Sequence, residues 1–197
     1  KVTFLLPGMK PMQFAGSSDV AGGAQRTTEL LQQEFPNIRF RPVPSGLAPY
    51  GRLGPSAQSA RHVTVAAKAE SLQESPEEPG PYGPNVHEAV RRYAIRVAKI
   101  AKSEAFNAIH AHDWMTFPAG IAVAAYSGKP LVVQVHSTEF DRSGEHVNQY
   151  VYDIERKGMH AAAKVIAVSN YTRNIVISRY AVPPEKVEVV YNGIDAP

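Results

Sequence analysis

Seven short apolar runs recur along this chain, separated by stretches long enough to hold a helix. They are "VTFLLP" (2–7), "IRFRPV" (38–43), "HVTVAA" (62–67), "NAIHAH" (107–112), "LVVQVH" (131–136), "KVIAVS" (164–169) and "VEVVYN" (187–192). Most carry β-branched residues on both faces, the pattern of strands covered from above and below. Amphipathic stretches lie between them. In "AQRTTELLQQEF" (24–35), Leu30, Leu31 and Phe35 have helical spacing. In 86–106, Val86, Val90, Tyr93, Val97 and Ile100 form one stripe behind a capping residue, Asn85. Further helices are expected over 117–128 and 147–162, and after Ser169 in "NYTRNIVISRY". Parallel strands need a crossover of about a dozen residues, usually a helix. The alternation therefore predicts an α/β fold, a Rossmann-like doubly wound parallel sheet of about seven strands. Residues 1–197 are expected to form one domain. A proline- and glycine-rich loop region, 44–85, is expected to be partly mobile.

Composition narrows the function. The chain is 44% hydrophobic and 20% charged, with a formal charge of +3. That mild basicity suits an anionic small ligand, and no dense Lys/Arg stripe with interleaved aromatics points to nucleic acid. No apolar run reaches the roughly 20 residues of a membrane span, which leaves only peripheral membrane contact open. A strand begins at Val2, so no signal peptide is expected ahead of it. Cysteine is absent, which excludes disulfides and thiolate metal sites and fits a cytoplasmic setting.

In an open parallel sheet, ligands bind beyond the carboxyl ends of the strands. The residues just after each strand are therefore the informative ones. They are Gly22–Gly23, His112–Asp113, His136 with Ser137, Thr138 and Glu139, Ser169–Asn170, and Asn192–Gly193. The glycine pair precedes a helix, where a bare backbone can approach an anion, although a simple turn uses the same residues. His110 and His112 share a strand face, and with Asp113 and His136 they raise the question of a metal. Against that stand a hydrogen-bonded structural role for His110 and a helix-capping role for Asp113. His136 is the strongest single candidate: it ends an apolar strand at the ligand rim and can donate to a hydroxyl or a phosphate oxygen. Arg142 is expected to form an exposed ion pair with Glu139 or Asp141. Trp114, Phe117 and Tyr126 are expected in the core, whereas Tyr50 and Tyr82 lie in loops with access to a ligand.

Read in order, several segments resemble one family. They are "VAGGAQRTTEL", "YGPNVHEAVRRYA", "NAIHAHDWMTFPAGIAVA", "GKPLVVQVHSTEFDRSGE", "VYDIERKGMHAAAKVIAVSNYTRNIV" and "YAVPPEKVEVVYNGID". Together they resemble the amino-terminal domain of the retaining GT-B glycosyltransferases of family 4, close to glycogen and starch synthases. The resemblance implies an acceptor-side half of a two-domain enzyme, whose carboxyl-terminal donor-binding domain is absent from these residues. It implies transfer of a sugar from a nucleotide-diphosphate sugar to an acceptor hydroxyl with retained configuration. No cofactor and no metal are implied, only the nucleotide sugar as co-substrate. By resemblance, the amides of Gly22 and Gly23 approach the donor phosphates, and His136 contacts the donor near the reacting carbon. Asp113 stands on the acceptor side, and His112, Ser137, Thr138, Glu139 and Tyr82 bind acceptor or sugar. Asn107, Ala163 and Ala181 depart from the family's usual residues, and Val20–Ala21 stand where the synthases have Lys-x before the glycines. The isolated domain is expected to be inactive. The competing expectations are a sugar- or phosphate-binding module without catalysis, and a metal hydrolase built on His110, His112 and Asp113.

Overall fold

The computed structural model describes residues 2–7, 33, 38–43 and 86–193. The strand expected at 62–67, the helix at 24–35, the cap at Asn85 and the loop 44–85 lie outside the described residues. Strand β1 (Val2–Pro7) pairs in parallel with β2 (Ile38–Val43). Helix α1 (Val86–Ala101) follows. Four further strands, β3 (Ile109–His112), β4 (Leu131–Val135), β5 (Lys164–Ala167) and β6 (Val187–Val189), form a second parallel sheet in that order. Helix α2 (Phe117–Ser127) connects β3 to β4. Helices α3 (Glu139–Ser143) and α4 (Gln149–Ala161) connect β4 to β5, and α5 (Asn170–Tyr180) connects β5 to β6. Six of the seven expected strands thus fall within the described residues. Because the four strands run the same way, the segments leaving β3, β4, β5 and β6 emerge on one edge.

The core divides into two clusters. In the first, the buried stripe of α1 packs against Val43 of β2, Trp114, Ala119 and Val123, and Val151 of α4. The second joins Ala111, Leu131, Val133, Val135, Val165, Ala167 and Val187 of the sheet to Phe117, Met159, Val176 and Tyr180 of the helices. The β-branched strand residues are therefore the ones that leave water, which is the main stabilising contribution of such a sheet. Trp114 and Phe117 lie in the core as expected, but Tyr126 is exposed. It sits in the last turn of α2 and lines a surface cleft with Ala101 and Phe106. Where α4 crosses the start of α2, Gly158 is needed: a Cβ there would stand 2.8 Å from the Phe117 Cβ, inside van der Waals contact.

Helix ends account for the shifts in boundary. Helix α1 stops at Ala101, short of the expected 106, because Ser103 Oγ takes the Ile100 carbonyl at 2.9 Å. Glu104 is drawn to Arg39 and Arg41 of β2. Asn148 caps α4, its side chain accepting from the Tyr150 and Val151 amides. Ser169 caps α5 as predicted, accepting from the Thr172 amide at 3.0 Å. At the other end of α5, Ala181 adopts φ 54°, ψ 36°, a left-handed conformation that glycine takes without penalty. Ala181→Gly is accordingly expected to raise unfolding stability by about 1 kcal/mol, read as a higher urea midpoint at unchanged slope.

Candidate active site

The turn after β3 is built by Asp113, which has φ 56°. Aspartate tolerates this left-handed conformation better than most residues. The Asp113 amide still pairs with the Gln134 carbonyl at 2.9 Å, continuing the β3–β4 ladder. By register the next rung would join the His136 amide to the Asp113 carbonyl. The left-handed turn instead aims that carbonyl at the first turn of α2, where the Thr116 amide reaches it at 3.0 Å. The Asp113 side chain fills the vacated place, and the His136 amide donates to its Oδ1 at 2.9 Å. Asp113 is thus not the cap of α2: Thr116 holds that position, and its Oγ1 donates to the His112 carbonyl at 2.6 Å.

Three imidazoles lie side by side along this rim. The rings of His110 and His112 are 4.3 Å apart, and those of His112 and His136 are stacked at 5.6 Å. His112 Nδ1 meets His136 Nε2 at 3.3 Å. Although both side chains remain exposed to solvent, the protein atoms crowded around the rings desolvate them enough to hold His110 and His112 below the 6.5 of a free imidazole; for His110 a hydrogen bond with Gln134 opposes this, and for His112 the charges of His110 and His136 add to it. The sign follows: folding favours their neutral forms above that range, and that contribution is lost as the pH falls through the lowered values. Among the described residues no three His, Cys, Asp or Glu side chains are grouped to hold a metal ion.

The loop after β4 is held from below by buried charge. Arg142 Nη1 donates to Ser137 Oγ at 2.8 Å and to the Ser137 carbonyl at 3.2 Å. The same guanidinium bonds Glu139 at 3.2 Å and also Glu155 of α4. Glu155 accepts in addition from the Glu139 amide and from the Tyr180 hydroxyl. Glu139 is 3% and Glu155 1% exposed. Burial pushes the Glu155 carboxyl above its ordinary range, against the opposing pull of Tyr180 and Arg142. Burial, with Glu155 beside it, raises the Tyr180 phenol. The expected exposed pair at Arg142 is therefore a partly buried network spanning three elements.

Several rim residues from the sequence are brought together and others are not. His112, Asp113 and His136 converge, with His112 and His136 exposed, and Ser137 follows directly. Thr138 is fully buried, its amide and hydroxyl both donating to Asp141 at 2.6 and 2.9 Å. Glu139 bonds Arg142 and accepts from the Asn148 amide. Gly22, Gly23, Tyr50 and Tyr82 lie outside the described residues. Sequence reasoning missed Thr116, Glu155 and Tyr180. A signal for Glu155 existed: with Val151, Gly158 and Met159 it falls on the buried stripe of α4, and a carboxylate there needs partners. Thr138-x-x-Asp141 likewise has the form of a capping box.

A parallel α/β layer with polar groups gathered beyond its carboxyl ends is the plan of one Rossmann-like half of a GT-B glycosyltransferase. The chain belongs to Glycosyltransferase Family 4, which matches residues 22–196. It is similar to an uncharacterized glycosyltransferase of Methanocaldococcus jannaschii, 35% identical over 98 residues, covering 46% of this chain and 24% of the relative. It is also similar to the alpha-maltose-1-phosphate synthase of Mycolicibacterium smegmatis, 37% identical over 105 residues, covering 49% of this chain and 26% of that one. The matched stretch thus spans about a quarter of these relatives. In fold it is similar to the sucrose-phosphate synthase of Thermosynechococcus elongatus, with a TM-score of 0.54 at 13% identity, over 98% of this chain and 48% of that protein. Among the described residues no helix is long and apolar enough to cross a membrane.

Proposed function

We propose that these residues form the acceptor-side half of a retaining glycosyltransferase that moves a sugar from a nucleotide-diphosphate sugar to an acceptor hydroxyl. The observation that carries the reading is the meeting of Asp113 and His136. They come from the ends of adjacent strands, are joined at 2.9 Å, and stand on the edge where a parallel sheet binds its ligand. In this reading the His136 imidazole contacts the donor near the reacting carbon. Asp113 Oδ2, with no partner among the described residues, is available to the acceptor hydroxyl, and His112 and Ser137 extend the same wall. Gly22 and Gly23 supply amides to the diphosphate, and Tyr82 binds acceptor or sugar, roles that rest on the family resemblance alone. The protein's contribution is placement of the two substrates and stabilisation of charge on the departing diphosphate. No metal and no cofactor take part. A second, donor-binding domain in the full-length protein completes the cleft, so residues 1–197 alone are inactive. The setting is cytoplasmic, as the absence of cysteine suggested.

The test is transfer by the full-length protein from a panel of UDP-, ADP- and GDP-sugars to glucan and small-sugar acceptors. The product's anomeric configuration is read by NMR, with and without a chelator. Retained configuration and chelator-resistant turnover are expected. Tight nucleotide-sugar binding without any turnover would instead favour a binding module, and an inverted product would sink the retaining assignment.

A further inference from the structure

We propose that His112 is a positioning residue for His136, fixing the tautomer and orientation of that imidazole through the Nδ1···Nε2 contact. The proposal rests on the reading of His136 as the donor-contacting side chain. Its physical basis is a break in strand alternation. Along β3 consecutive side chains point to opposite faces, so His112 and Asp113 ought to diverge. The left-handed turn at Asp113, φ 56°, cancels that divergence, and both side chains reach the same residue of the neighbouring strand. Asp113 holds the His136 main chain through its amide, and His112 holds the ring at 3.3 Å. His136 is thereby gripped at two points by one dipeptide.

The ring contact has a chemical consequence. A hydrogen bond between two imidazole nitrogens needs one N–H and one lone pair. The facing atoms cannot both carry protons, so the state of His112 Nδ1 dictates that of His136 Nε2, and with it which nitrogen His136 offers to a ligand. His112 is kept in place in its turn. Thr116 Oγ1 holds its carbonyl at 2.6 Å, and the His110 ring lies 4.3 Å from its own. The charged and titratable groups acting on the pair are His110 and Asp113, and burial favours an uncharged His112.

The experiment uses the full-length protein with ¹⁵N-labelled histidine, comparing wild type, His112→Ala and His112→Asn. Asparagine keeps a polar atom where Nδ1 stood. In substrate-free wild type, the His136 ring nitrogens are expected to show the shifts of one fixed tautomer. In His112→Ala they should move to the average of two exchanging tautomers, and in His112→Asn one tautomer should return. In transfer assays the alanine variant should lose roughly tenfold to a hundredfold in kcat with little change in KM, and the asparagine variant should recover most of it. A fixed His136 tautomer that survives His112→Ala would overturn the proposal, as would a wild type already averaging two tautomers. Because the spectroscopic arm needs no substrate, absence of transfer in every variant would defeat the functional reading while leaving this inference to be decided by the ring nitrogens.

Discussion

His136→Ala in the full-length protein is expected to lower sugar transfer by roughly a hundredfold to a thousandfold. A group aimed at charge that develops on the leaving diphosphate acts mainly in the transition state, so kcat and kcat/KM should fall together. The fold should survive. His136 is exposed and takes no part in either core cluster. Its link to Asp113 is made by the main-chain amide, which alanine keeps. The thermal midpoint should therefore stay close to wild type while activity collapses. Turnover within a factor of about three of wild type, at intact stability, would remove His136 from the chemistry and with it the assignment of this rim as the transfer site.

Arg142→Ala is expected to have the largest effect on stability. The change strips the guanidinium from two carboxylates that are almost fully buried, Glu139 and Glu155. Removing one partner of a buried pair costs about 3–5 kcal/mol. Arg142 keeps 19% side-chain exposure, which places the expectation near 3 kcal/mol. Urea unfolding measures it. The companion variant carries Arg142→Met with Glu155→Leu, and should be clearly less damaging than Arg142→Ala because no uncompensated charge is left behind. The pH dependence has a definite sign. Glu155 is an acid whose folded value is raised, mainly by burial. Its favourable contribution is complete below the ordinary carboxylate range and is lost as the pH climbs through the raised value. Without Arg142 that value rises further, so the deficit of Arg142→Ala should widen from mildly acidic to mildly alkaline buffer. A deficit that is flat with pH, or equal in the double variant, would mean that packing rather than charge explains the cost.

Much of the fold was legible because its determinants are local or periodic. The β-branched runs around Val133 and Val165 must be covered on both faces, and the stripe from Val86 to Val97 must be covered on one. Neither requirement depends on knowing the neighbours. Ser169 as a cap and the stop at Gly128 were legible for the same reason. Helix α3 was not, since five residues are too few for a period to register. The capping pair Thr138 and Asp141 was its one visible mark. The site was legible in position but only partly in role. A polar residue after a strand reads as a ligand contact whether or not it is already engaged. Glu139 is engaged, by Arg142 three residues on and by the Asn148 amide nine residues on, and no local pattern announces that. Asp113 read as a helix cap because caps are near-sequence devices. Its actual partner, the His136 amide, lies across the sheet, and only the left-handed turn makes that bond accessible.

The order β3-β4-β5-β6 repeats the order in which these strands are synthesised. No strand of this layer has to wedge itself between two that have already paired. Each, on leaving the ribosome with its helix, finds the previous one presenting an open edge. Assembly can therefore proceed by accretion from one side, with short loops to close at every step. The rim bearing His112, Asp113 and His136 is finished by the first of those additions, before the rest of the layer exists.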